Sequence, residues 1–96
     1  MSPINVKKLD LLRVKLDKLD NQLLKIIKKR SNLVKEVLKV KIHKKEIIDQ
    51  KRINFILKKI KKKSIQLNID PKITNRIWKN MIWAFIDYEK RNFNKK

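Results

Sequence analysis

The chain has 96 residues, a formal net charge of +19, no glycine, no cysteine and two prolines. Without glycine, tight hairpins and sheet corners are nearly excluded; without cysteine, so are disulfides, thiolate metal sites and a thiol nucleophile. No apolar run approaches the ~18 residues of a membrane span and no signal-like segment opens the chain, so one all-α, cytoplasmic domain over residues 1–96 is expected.

Ser2 and Pro3 read as an N-cap and a proline at the first helical position. Leu9, Leu12, Leu16, Leu19, Leu23, Ile26, Arg30, Leu33, Val37 and Val40 then alternate in steps of three and four, the seam of one helix reaching about Lys41. Nearly forty residues span roughly 55–60 Å at the rise of an α-helix. A domain of this size cannot cover such a rod, so a partner chain must cover part of it. Every seam position but one is apolar, and the exception, Arg30, is a permanent cation with five donors. Eleven residues on, Lys41 returns to within about 20° of the same face. Two cations turned inward call for an anion between them.

Ile42 to Ile48 breaks the period and reads as a loop. Asp49 is placed to cap a second helix, with Ile53, Ile56, Leu57 and Ile60 as its apolar face and Lys61, Lys62 and Lys63 closing it. Asn68-Ile69-Asp70-Pro71 signals a stop and a restart, with Asp70 as cap and Pro71 at the first helical position. The third helix is expected to turn Ile73, Ile77, Trp78, Met81, Ile82, Phe85 and Ile86 inward. Glu89, seven residues after Ile82, stays on that face, and the tail after Arg91 frays. The expected fold is three helices per chain, the first long and the other two shorter, intertwined in a homodimer.

Only five of the 28 cations are arginines: Arg13, Arg30, Arg52, Arg76 and Arg91. Most lysines, such as Lys25, Lys28, Lys29, Lys35 and Lys39, fall on polar faces. A bias toward Lys and Ile accounts for the charge without a selected partner. A small nucleic-acid-binding protein remains an alternative; otherwise nucleic acid is expected to bind only nonspecifically, through charge.

Arg30 and Lys41 lie about 16 Å apart along the helix axis, a gap suited to a small molecule. Arg52, near the start of the second helix, and Glu89, near the end of the third, can close on the same space. An arginine fork grips both oxygens of a carboxylate at once. Arg13, seventeen residues before Arg30, is ~25 Å away and reaches that space only from an antiparallel partner. Each residue alone has a plainer reading: Arg30 can snorkel or pair with an acid, Lys41 can be a helix-end surface residue, Glu89 a solvated one. Asp17 and Asp20 suit pairs with lysines one turn away. His43 is a single loop histidine with no second ligand, so no metal and no cofactor are expected. No Ser/His/Asp or paired-carboxylate set assembles.

Taken together, Leu16-Asp17-Lys18-Leu19-Asp20 with Leu23-Leu24, then Arg30, Val34-Lys35-Glu36-Val37, Lys41, Asp49-Gln50-Lys51-Arg52 and Ile82 to Glu89 resemble the all-helical chorismate mutases. The resemblance runs from about Leu9 to Glu89. It implies an intertwined homodimer with two sites, each completed by the partner's first helix, and conversion of chorismate to prephenate in aromatic amino acid biosynthesis. It also implies that Arg30 and the partner subunit's Arg13 bind carboxylates and that Lys41 donates to the ether oxygen of the breaking bond. Arg52 matches a further pocket arginine and Asp49 the acid near the substrate hydroxyl. Glu89 takes the place of the second ether-oxygen donor, usually Gln, and would have to carry its proton to donate.

Three departures qualify the likeness. Ile53 stands where many mutases have a Glu that accepts from the substrate hydroxyl, and Phe85 replaces a small polar residue. The Lys41–Arg52 segment is one residue short of the usual mutase length. The intervals of 17, 11 and 11 from Arg13 through Arg30 and Lys41 to Arg52 are similar to those of isochorismate pyruvate lyases. That activity, yielding salicylate and pyruvate on the same fold, is the alternative reading.

Overall fold

The computed structural model describes residues 2–94. Over that range the chain forms α1 (Pro3–Val40), a 3₁₀ turn (Lys44–Glu46), α2 (Gln50–Gln66) and α3 (Pro71–Asn92), with no strand among the described residues. The all-α expectation holds, as do the three helices and the long first one. Two compact units make up the chain, Met1–Leu33 and Val34–Lys96.

The first unit consists of α1 up to Leu33. Ser2 starts it as expected: its Oγ accepts the Asn5 backbone N–H at 3.2 Å, satisfying a donor that the first helical turn leaves free. Its apolar seam is largely uncovered. Leu12, Leu16, Leu19, Leu23 and Ile26 are each just over half exposed, and only Leu9, Arg30 and Ser31 are partly shielded.

The second unit carries the core. Ile47, Ile53, Ile82 and Ile86 are buried together, with Ile56, Leu57 and Phe93 packed against them. Ile53, near the start of α2, meets residues near the end of α3, while Ser64 near the end of α2 meets Thr74 near the start of α3. The two helices therefore run antiparallel. Asp49 caps α2, its Oδ1 accepting the Arg52 N–H at 3.0 Å; Asp70 caps α3, its Oδ1 accepting from Lys72 N at 2.9 Å, with Pro71 at the first position.

The turn between α2 and α3 shows how a chain without glycine reverses direction. Asn68 takes φ 58°, the left-handed region that glycine usually fills and Asn tolerates best among the rest. Asn68 N then donates to Ile65 O at 3.1 Å and Ile69 N to Ser64 O at 2.8 Å, the paired bonds of a Schellman ending.

Four details depart from the expectations. Lys61 to Lys63 do not close α2, which continues to Gln66 because Ser64, one turn after Ile60, is itself buried. Its Oγ donates to Ile60 O at 2.6 Å and shares a 2.7 Å bond with Thr74 Oγ1. For the same reason Ile73 and Ile77 are exposed: the Thr74 hydroxyl turns α3 so that Thr74, Trp78 and Met81 face inward. The Ile42–Ile48 loop contains the 3₁₀ turn and delivers Ile47, only 3 % exposed, to the core. Finally, Phe93 packs on the core just past Arg91, where fraying was expected; residues 95 and 96 of that tail lie outside the described range.

Among the described residues no helix is long and apolar enough to cross a membrane.

Candidate functional site

Lys41 follows the last residue of α1, and its backbone N–H still bonds Val37 O at 3.2 Å. The helical phase therefore carries one residue past the helix. In the second unit Val34, Leu38 and Lys41 are the partly buried positions of that face, while Val37 and Val40 are exposed.

Glu89 sits on the buried face of α3 with Ile82 and Ile86, as its spacing predicts. Lys41 Nζ donates to Glu89 Oε1 at 2.9 Å, with the two side chains 18 % and 7 % exposed. Each charge has given up much of its water for the other, and a charge-assisted bond in such surroundings is stronger than one in solvent. Chemically this is a cation beside an acid at the rim of an apolar core. An oxygen acceptor presented to the pair would receive from Lys41, and from Glu89 as well if that group carries a proton.

Asp49 and Lys41 line one cavity of ≈ 430 Å³, together with Glu46 and Lys51. Both acids there are held by backbone N–H groups: Asp49 by Arg52 N, and Glu46 by His43 N at 3.2 Å. Neither Glu46 nor Lys51 has a place in the site as read from the sequence; for Glu46 the one available signal was its position three residues after His43, the spacing at which a side chain reaches back to cap a turn.

Arg52 does not line that cavity. It is exposed on α2, its guanidinium carbon over the Phe55 ring at 5.4 Å from the centroid, with Lys59 Nζ over the same ring at 5.9 Å. Ile53, at the position of the missing acid, is a core residue, and Phe85 is half-buried. In the first unit Arg30 is partly buried and Arg13 exposed. Among the described residues no three of His, Asp or Glu gather as metal ligands.

A family model described as chorismate mutase type II matches residues 12–90 of the chain. No curated protein and no solved structure matches it.

Proposed function

The chain belongs to the chorismate mutase type II family, whose reaction is the isomerisation of chorismate to prephenate, and from that premise we propose how its residues divide the work. Lys41 donates to the ether oxygen of the breaking carbon–oxygen bond, and Glu89, in its protonated form, donates to the same atom. Arg30, Arg52 and the partner subunit's Arg13 hold the two carboxylates. Asp49 receives the substrate hydroxyl, a contact made alone because Ile53 offers no acceptor.

The rearrangement is pericyclic: one carbon–oxygen bond breaks as one carbon–carbon bond forms within the same molecule. Such a step asks for no nucleophile and no general base. What remains for the protein is to hold a flexible dianion in its compact reactive conformer and to meet the charge that grows on the ether oxygen. The arginine contacts serve the first need, because carboxylate charge is unchanged along the reaction. Lys41 and Glu89 serve the second, since their bonds strengthen as the carbon–oxygen bond lengthens.

The observation that carries this assignment is the Lys41–Glu89 pair, largely withdrawn from water at 2.9 Å. A homodimer in which the partner's first helix completes each site is supported by the seam. Its five apolar positions Leu12, Leu16, Leu19, Leu23 and Ile26, each more than half exposed, form the kind of patch that marks an interface. Covering the rest of their surface is worth about 1 kcal/mol apiece.

A product assay on the purified protein tests the reading, with chorismate and isochorismate offered separately and Arg30→Ala as the blank. Prephenate from chorismate, lost in the variant, is the expected result. Salicylate and pyruvate from isochorismate, with no prephenate, would overturn it.

A further inference from the structure

The geometry points to Phe55 as a positioning residue for Arg52, an inference that rests on the assignment of Arg52 to substrate binding. Arg52 stands exposed in the first turn of α2, where a long side chain samples many rotamers and loses that freedom on binding a ligand. Its guanidinium lies over the Phe55 ring at 5.4 Å, within the range at which a ring face attracts a cation. The spacing of three residues on a helix makes the two side chains neighbours.

The chemistry of the holder matters. A carboxylate partner would also restrain Arg52, but it would occupy the donors that a substrate carboxylate needs. An aromatic face supplies attraction without a competing oxygen, so the arginine is restrained yet available. Phe55 is itself 54 % exposed and lies off the apolar face formed by Ile53, Ile56, Leu57 and Ile60. Core packing does not explain a large aromatic there. Two cations drawn to it from opposite directions along the helix, Arg52 and Lys59, do.

Steady-state kinetics on chorismate separate the possibilities, using Phe55→Leu, Phe55→Tyr, Arg52→Ala and the Phe55→Leu/Arg52→Ala double variant, each checked for wild-type helicity. Phe55→Leu keeps an apolar side chain but loses the ring, and it should raise KM about two- to fivefold, the range expected of an exposed cation–ring contact. The effect should fall on KM and not kcat, because the carboxylate bound by Arg52 has the same charge in the ground and transition states. Phe55→Tyr, which retains the ring face, should keep the wild-type KM. In the double variant the loss of Phe55 should add nothing to the loss of Arg52.

An unchanged KM in Phe55→Leu, or an equal rise with and without Arg52, would overturn the role of Phe55 while leaving the site assignment intact. Wild-type kinetics in Arg52→Ala would instead remove Arg52 from the site, and the inference with it.

Discussion

Lys41 and Glu89 meet at 2.9 Å with little access to water, and a donor withdrawn from solvent is what suits Lys41 to an ether oxygen. Truncating Lys41 to Ala takes away a preorganised donor and should lower kcat by about 10²–10³ in a prephenate assay. Glu89 is tested by its amide and its truncation: Glu89→Gln, which keeps a donor in place, should retain prephenate formation, whereas Glu89→Ala should lower kcat; an unchanged kcat in Glu89→Ala would remove Glu89 from that role. Both residues were legible in the sequence because each keeps a helical phase, Lys41 eleven residues after Arg30 and Glu89 three after Ile86. The contact of Arg52 with Phe55 was not, since Phe55 lies outside every apolar stripe and hydropathy gives it no direction. Glu46 was missed because a loop has no period from which to read a facing.

At the scale of single elements, start and stop signals were the most readable feature. Ser2, Asp49 and Asp70 all cap the helices assigned to them, since a cap is a local contact between a side chain and the next turn. Asp70→Ala should lower stability by about 1 kcal/mol in thermal or urea unfolding. The Asn68 turn is more demanding because the chain has no glycine to place there. Asn68→Val puts a branched side chain at φ 58° and should cost about 1–2 kcal/mol, whereas Asn68→Gly should be tolerated; equal stability of the two variants would contradict the turn geometry. The phase at the start of α3 was misread for a reason of the same kind. Hydropathy favours Ile73 and Ile77 over Thr74, but Thr74 reaches a hydroxyl on the neighbouring helix, and a satisfied polar group can be buried where an isoleucine is left outside.

For the molecule as a whole, the uncovered seam of the first helix and the placement of Arg13 pose one question, which subunit mixing answers. If each site is completed from across a dimer, Arg13→Ala and Arg30→Ala are each inactive alone. Unfolded and refolded together, they should regain part of the wild-type activity, because one site of the mixed dimer then holds both arginines. No recovery, in a mixture shown by sedimentation to be dimeric, would place Arg13 outside the site. The number of helices, their N-terminal caps, the misfit of Arg30 and the facing of Lys41 and Glu89 were all present in the order of residues, because caps and a 3.6-residue period are local physics. The meeting of Lys41 with Glu89, the burial of Ile47 and Ser64, and the resting place of Arg52 depended on the packed chain. Each is a contact between residues distant in sequence or a choice among rotamers, and neither is encoded by the spacing of apolar positions along one helix.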